Sequence, residues 1–169
     1  SAFGQKDAIV RIVCASETFS TVPMPHGLRF WVFNSMEKHS LVGSLYATRH
    51  AECMEALRLV RLSGVRAENL ASVSPADVRK ANLPANIEMR ALHVCEEHRR
   101  VDAMGEALKA GDFARIGSLL TASHESSRTL FENSTDKLDC LVDILGRTPH
   151  VLGARLTGGG FGGAAMALA

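Results

Sequence analysis

The composition of the chain is typical of one folded domain without a strong charge bias. Its 169 residues are 46% hydrophobic and 22% charged, and the formal net charge at pH 7 is +1. Because the charges form no broad basic or acidic field and no apolar run is long enough to span a bilayer, we expect neither nucleic acid nor a membrane as a partner. The four cysteines have no CxxC pair, which argues against a zinc ribbon and a disulfide framework and favours the cytoplasm.

Both ends of the chain lie close to or inside a strand-like segment. It begins at Ser1 without a methionine, close to a strand-like segment, and it ends at Ala169 inside another. We therefore expect the chain to be a piece of a longer polypeptide.

The first third of the chain contains two strand-like patterns and one helical pattern. Residues 8–14 and 28–34 are rich in β-branched and aromatic residues, which predicts two strands. The segment between them, with Pro23 and Pro25, is predicted to be a loop or an edge. A helix that ends before Ser63 is predicted next, because its apolar residues recur near the helical period of 3.6. They are Leu45, Cys53, Ala56, Leu57 and Val60.

Three further helices are predicted in the remaining chain. The first runs from Ile87 to Ala110 and is followed by Gly111, which suits a C-terminal cap. Asp112 can cap the second, and Ser134 or Thr135 the third. Their apolar faces comprise Val94, Val101, Met104 and Leu108, then Ile116, Leu119 and Leu120, then Leu138, Leu141, Val142 and Leu145. Strands separated by pairs of helices, without regular βαβ alternation, favour an α+β fold with helices packed on an antiparallel sheet.

A glycine run, TGGGFGG at residues 157–163, lies between two further predicted strands. Gly158, Gly160 and Gly163 satisfy the GxGxxG pattern of dinucleotide-binding folds, but neither a helix nor a later acidic residue follows. No Lys-Ser or Lys-Thr pair closes the run as in a P-loop. The run is either a flexible hinge or a loop whose backbone approaches a phosphate or a phosphate-holding loop. Phe161 favours the second interpretation, because a large apolar side chain in a loop usually packs.

Four strings, in order along nearly the whole chain, resemble the galactokinase branch of the GHMP kinase superfamily. FNSMEKHSLVGSLYATRHAEC is similar to a family segment with Asp-Ser-Gly, His-Ser and Tyr-Asn-x-Arg-Arg-x-Glu-Cys. MRALHVCEEHRRV is similar to Arg-Ala-x-His-Val-x-x-Glu-x-x-Arg-Val. Residues 111–142 resemble the Gly-Asp, Ser-His-x-Ser-Leu-Arg and Leu-Asp-x-Leu-Val string, and GARLTGGGFGG resembles the third signature. The positions that depart from the pattern are Asn34, Met36, Glu37, Ala47, His50 and Ala164.

The resemblance implies an α+β fold, the GHMP kinase C-terminal domain, in which helices back a ferredoxin-like antiparallel sheet. Residues 1–27 are expected to be a remnant at the end of the N-terminal kinase domain. Residues 28–169 are expected to form the C-terminal domain, incomplete at its C-terminus.

The resemblance also implies that the full-length protein, a cytoplasmic monomer, transfers the γ-phosphate of ATP with Mg²⁺ to the anomeric hydroxyl of galactose or a related monosaccharide. The family's sugar-recognition segment and its Gly-Leu-Ser-Ser-Ser phosphate loop do not occur in this chain. The alignment places the catalytic aspartate of the Met-Asp-Gln motif before Ser1, so Asp7 is expected to be a turn residue. No catalytic and no metal-binding residue is expected here, and this chain alone should be inactive.

The resemblance assigns two groups of site residues. Tyr46 and Arg49 are expected to contact the sugar. The glycine run is expected to support the nucleotide phosphate loop, through Thr157, Gly158, Gly159, Gly160, Phe161, Gly162 and Gly163. Competing interpretations are a solvated hydroxyl for Tyr46 and a paired or solvated charge for Arg49.

Other polar groups in the quoted strings are expected to be structural. His39 belongs to the His-Ser pair. Residues 93–98, HVCEEH, lack the HExxH order of a zinc site, and Cys95 should point away from the helix face that carries His93. Residues 123–125, Ser-His-Glu, are adjacent in sequence and therefore should not converge as a catalytic triad.

Three alternatives for the function stay open. L-arabinose rivals galactose as the substrate, because LRFWVFNS is closer to the L-arabinokinase relatives. The parent protein could instead be a non-catalytic homologue that binds sugar and ATP as a sensor. The third alternative is an unrelated α+β scaffold in which the glycine run is a hinge.

Overall fold

The computed structural model describes residues 3–14, 16–37 and 42–169, with the backbone alone for residues 42–44. The strands are β1 (Ala8–Val13), β2 (Thr18–Pro23), β3 (Phe30–Asn34), β4 (Gly153–Thr157) and β5 (Ala164–Leu168). The α-helices are α1 (Val42–Leu62), α2 (Pro75–Lys80), α3 (Ala85–Ala110), α4 (Phe113–Ser126) and α5 (Asp136–Arg147). A 3-10 turn spans Leu70–Ser72, and a π-helical turn at Ser127–Phe131 continues α4.

The strands form two antiparallel sheets, as an α+β fold requires. β1 and β2 form a hairpin in which Ala8 lies opposite Pro23. β5 is the central strand of the second sheet, between β3 and β4, and its Leu168 lies opposite both Phe30 and Gly153. The predicted strands, including the two that flank the glycine run, are confirmed.

The segment predicted to be a loop or an edge contains both, because an edge strand of the hairpin is followed here by a loop. This segment contains β2, which ends at Pro23. Proline is tolerated there because a strand end on a two-stranded hairpin needs no further ladder donor.

Helix α5 covers one face of the three-stranded sheet, while α4 packs beside β4 and contacts Leu168 on the other face. Leu138, Val142 and Leu145 of α5 pack against alanines and a leucine of the sheet, and these are Ala154, Leu156, Ala165 and Ala167. Helix α4 lies very close to the backbone at the start of β4. A Cβ atom on Gly117 would lie 2.0 Å from the carbonyl oxygen of Leu152. Helix α4 and the start of β4 are therefore held at a separation that only glycine allows at residues 117 and 153.

Helix α3 has 26 residues and spans two separate cores. Its N-terminal half packs with α1 and α2 through Ile87, Ala91 and Cys95. Its C-terminal half packs with α4 and the hairpin through Ala107 and Leu108. Val101, predicted on the apolar face, is instead 49% exposed, because it lies between these cores and lines a cleft of about 310 Å³ beside β1.

The predicted caps are present at three helix ends. The Asp112 side chain accepts a hydrogen bond from the Arg115 amide at 2.9 Å, and Thr135 caps α5 through the Leu138 amide. Gly111 follows α3 with a φ of +65°. No helix in the described ranges is both long enough and apolar enough to cross a membrane.

Candidate nucleotide-loop site

The glycine run forms a sharply turned loop between β4 and β5. The angle φ is positive at Gly158, Gly160, Gly162 and Gly163, and also at Phe161. Residues with a Cβ atom rarely adopt this conformation, so the glycines are needed for the path of the chain. Phe161 occupies the left-handed region at +58°, and its side chain is partly buried.

Asn133, which follows the π-helical turn, holds the inner side of the loop. The Phe161 amide donates to the Asn133 carbonyl oxygen at 2.6 Å, and the Asn133 Nδ2 atom donates to the Gly159 carbonyl at 3.1 Å. A Cβ atom on Gly160 would lie 2.1 Å from the Asn133 carbonyl oxygen. Asn133 is 7% exposed, and its Oδ1 atom has no partner among the described residues. The loop is therefore anchored and does not behave as a flexible hinge.

The residues that follow β3 hold the loop from a second side. Ser35 donates to the Gly163 carbonyl from its amide at 2.8 Å and from its hydroxyl at 2.7 Å. The Gly163 amide donates to the Glu37 carbonyl at 3.2 Å. The Glu37 carboxylate in turn accepts a hydrogen bond of 2.5 Å from the hydroxyl of Thr135, the cap of α5. The end of β3, the start of α5 and the glycine loop thus form one hydrogen-bonded unit.

Gly158 and Gly159 form the open side of this loop. A Cβ atom on either residue would meet nothing within 4 Å, unlike one on Gly160 or Gly162. Within residues 3–14, 16–37 and 42–169, no group accepts a hydrogen bond from their amides. Adjacent amides with free N–H groups are suited to a negatively charged partner.

Arg49 and Tyr46, the predicted sugar contacts, lie on α1 in different environments. Tyr46 is 58% exposed. The Arg49 side chain is 13% exposed, and its guanidinium donates to the Phe131 carbonyl at 2.7 Å and to Glu52 at 3.0 Å. Arg49 is therefore a paired charge that lies on α1 and binds the π-helical turn. The sugar contacts of both residues stay predictions.

The groups expected to be structural have internal partners where the structure describes them. Asp7 lies in a turn with a φ of +55°, and its carbonyl accepts the Met24 amide at 2.9 Å. His93 stacks on Phe131 and lies 2.9 Å from the Ser126 hydroxyl. In the described parts of the chain, no three His, Cys, Asp or Glu side chains come together as metal ligands. His39 lies outside the described residues.

Ser123, His124 and Glu125 contact different partners and form no triad with one another. The Ser123 hydroxyl donates to Glu97 at 2.6 Å. The His124 Nδ1 atom accepts a hydrogen bond from the Leu156 amide, while its Nε2 atom lies 3.2 Å from Asp139 without hydrogen-bond alignment. Burial is the main cause that lowers the pKa of His124, and the neutral ring fits its acceptor role toward β4.

Asn133 and the partners of Arg49 are not predicted from the sequence. Arg90, on α3, is 3% exposed and donates to Glu52, to Glu132 and to the Leu130 carbonyl. A signal existed for Arg90 and Glu52, because both stand in the strings that carry the family resemblance. Asn133 also stands within residues 111–142 of these strings, although its segment ENST by itself shows only the polar composition of a loop.

The C-terminal part of the chain matches a known protein family. Residues 104–169 match the family model described as GHMP kinases C terminal. Residues 104–169 therefore belong to a GHMP kinase C-terminal domain, as the resemblance implies.

The individual relatives are galactokinases. The galactokinase of Thermotoga neapolitana is 40% identical over 169 residues, which cover 99% of this chain and 46% of the relative. That of Actinobacillus pleuropneumoniae serotype 5b is 40% identical over 177 residues, with 99% and 44% covered. The structure of Lactococcus lactis galactokinase complexed with galactose superposes with a TM-score of 0.91 at 29% identity, covering 98% of this chain and 44% of that chain.

The chain is thus similar along its whole length to slightly less than half of each galactokinase. The resemblance to the galactokinase branch of the GHMP kinase superfamily is confirmed.

Proposed function

We propose that this chain is the C-terminal part of an ATP-dependent monosaccharide kinase that phosphorylates the anomeric hydroxyl of galactose or a related sugar. Residues 1–27 end its N-terminal domain, and residues 28–169 belong to its C-terminal domain. The observation that carries the proposal is the glycine loop, which is anchored on its inner side and open at Gly158 and Gly159. Whole-length similarity to galactokinases supports the same conclusion.

In this proposal the open side of the loop faces the nucleotide phosphates or the loop that holds them. Phosphoryl transfer depends chiefly on positioning and on neutralising charge, so fixed backbone amides suit the reaction. The catalytic base lies in the part of the protein that precedes this chain. In the described residues no three His, Cys, Asp or Glu side chains come together as metal ligands.

Galactose is the favoured sugar because the matching Lactococcus lactis structure is a complex with galactose. Tyr46, with its exposed ring on α1, supplies a hydroxyl to the sugar in this proposal. Arg49 holds α1 against the π-helical turn, and in this way it positions the helix that carries Tyr46 for the sugar.

The test is ATP consumption by the full-length protein with magnesium, with galactose and L-arabinose offered separately. Turnover with galactose supports the proposal. Turnover with L-arabinose alone would make L-arabinose the substrate in place of galactose. No turnover, together with protection against heat by sugar and ATP, supports a sensor instead. Residues 1–169 alone are expected to show no turnover.

A matched pair of variants tests the role of the open side. Gly159→Glu adds a carboxylate at a residue whose Cβ atom would meet nothing within 4 Å, so folding should be intact and the KM for ATP should rise. Gly146→Glu adds the same charge at an exposed, uncrowded glycine of α5 and should change neither KM. Equal KM values for ATP in both variants would contradict the assignment of the open side to the nucleotide.

A further inference from the structure

Two arginines and two glutamates enclose the π-helical turn at the end of α4. Arg90, buried on α3, donates to Glu52 at 2.8 Å, to the Leu130 carbonyl at 2.5 Å and to Glu132 at 2.5 Å. From α1, Arg49 adds bonds to Glu52, to the Phe131 carbonyl and to Glu132. We call Arg49, Glu52, Arg90 and Glu132 the arginine clamp.

The charges of the arginine clamp balance one another. Burial alone would raise the pKa of Glu52, but the hydrogen bond and charge of Arg90, with the charge of Arg49, hold this pKa below its ordinary value. Glu52 therefore stays ionised between the two guanidinium groups. The planar guanidinium of Arg90 reaches three acceptors at once, which a lysine ammonium at the same place could not do with the same geometry.

The arginine clamp ends one residue before Asn133, the inner anchor of the glycine loop. Glu132 has a left-handed φ of +52°, and both its carboxylate and its carbonyl are held by clamp arginines. Asn133 then contacts Gly159, Gly160 and Phe161. The position of the glycine loop thus depends on Asn133, and the position of Asn133 depends on the clamp.

We infer that Arg90 is a positioning residue for the nucleotide site, acting through Glu132 and Asn133 on the glycine loop. The inference rests on the proposed function of that loop. A small displacement of a positioning group lowers catalytic efficiency strongly, although no clamp residue touches the loop's open side. The sugar side should be less affected, because Arg49 keeps its bonds to Glu52 and to the Phe131 carbonyl when Arg90 is changed.

The test compares Arg90→Lys with Arg58→Lys in the full-length protein. Arg58 on α1 forms two 2.7 Å bonds to Glu55 but is 57% exposed, so it provides the same chemical change outside the clamp. Arg90→Lys should raise the KM for ATP about tenfold and leave the KM for the sugar within about twofold. Arg58→Lys should change neither. Equal rises in both KM values, or a lower melting temperature with unchanged KM values, would overturn the inference.

Two further variants keep the test decisive if Arg90→Lys does not fold. Asn133→Ala removes the bond to Gly159 but keeps the carbonyl, and Glu132→Gln weakens the clamp at a half-exposed side chain. Each should raise the KM for ATP selectively, and unchanged values in both would reject the inference. Where the Arg90→Lys protein folds, its effect combined with Asn133→Ala should be smaller than the product of the single effects, because both act on one anchor.

The role of Arg90 can be tested even if the proposed kinase activity fails. If the wild-type protein turns over no sugar, the proposed kinase activity fails, and the dissociation constant for ATP with magnesium, measured by calorimetry, replaces the KM. Binding weakened about tenfold by Arg90→Lys then still supports the positioning role. Equal binding by both proteins, or no ATP binding by the wild-type protein, overturns it.

Discussion

The carbonyl oxygen of Asn133 occupies the space that a side chain on Gly160 would need. A Cβ atom there would lie 2.1 Å from this oxygen, and the φ of Gly160 is +78°. Both a steric and a conformational requirement thus fix glycine at the centre of the loop. The neighbouring Gly159 meets neither requirement, which makes the two glycines a natural pair for comparison.

Gly160→Ala should lower the free energy of unfolding by at least about 2 kcal/mol, since left-handed backbone and a displaced neighbour both cost energy. The measurement is the melting temperature of the full-length protein with and without ATP. Gly159→Ala should change stability by less than about 0.5 kcal/mol, because its Cβ atom would meet open space. Equal losses in the two variants would show that the contact with Asn133 does not anchor the loop.

Gly117→Ala should destabilise the packing of α4 on β4, although alanine favours helices. The new methyl group would lie 2.0 Å from the Leu152 carbonyl, and overpacking of this kind costs about 1–3 kcal/mol or more. Gly105→Ala in α3 is the control, because nothing lies within 4 Å of its Cβ position. It should stabilise the protein by up to about 1 kcal/mol. The measurement is the thermal unfolding of both variants. A stabilised Gly117→Ala protein would contradict the close approach of α4 to the start of β4.

Tyr46→Phe should raise the KM for the sugar and leave the melting temperature unchanged. The ring is 58% exposed, so the hydroxyl contributes little to folding. Loss of one hydrogen bond to the substrate, worth about 0.5–1.5 kcal/mol, corresponds to about a 2- to 13-fold rise. The KM for ATP serves as the internal control. An unchanged KM for the sugar would assign the hydroxyl to solvent.

Stability should fall as the pH drops from 7 toward 4. Burial is the main cause that lowers the pKa of His93 to about 4, against the partial compensation of Glu97, with Arg100 and Arg155 also nearby. The unfolded chain binds a proton near pH 6.5, whereas folded His93 does not, so acid favours unfolding across this window. The loss is on the order of 3 kcal/mol at most. His124 acts in the same direction.

The check of this pH dependence is the free energy of unfolding at pH 7 and pH 5 for His93→Gln and His98→Gln. Removing the titrating ring at position 93 should flatten the pH dependence relative to the wild-type protein. His98 is exposed on the same helix, so His98→Gln is the matched control for the loss of an imidazole. A wild-type slope retained in His93→Gln would assign the effect to other groups.

Local patterns were sufficient for most of the fold. The helical period predicted the last residues of α1 and α3, and side-chain oxygens at Asp112 and Thr135 predicted where α4 and α5 begin, because these signals depend on neighbours in the sequence. The bounds of β2 and its partner were not predicted, because the segment has two prolines and its pairing with β1 is a tertiary contact.

The arginine clamp could not be predicted, because its members come from distant parts of the chain. Glu52 and Arg90 are separated by 38 positions, and Glu132 follows Arg90 by 42. An arginine in a helix is usually at least partly in water, yet Arg90 is 3% exposed. Only the fold shows that two helices and a π-helical turn meet there.

Trp31 is the single tryptophan of the chain, and it lies on β3 at the outer edge of the three-stranded sheet. Its ring is 55% exposed in the folded protein, so unfolding changes its surroundings only modestly. Any surface that covers this edge would take the indole out of water and move its emission to shorter wavelength. Intrinsic fluorescence is therefore an optical reporter of contact at β3, whereas circular dichroism of the helices is the better reporter of unfolding.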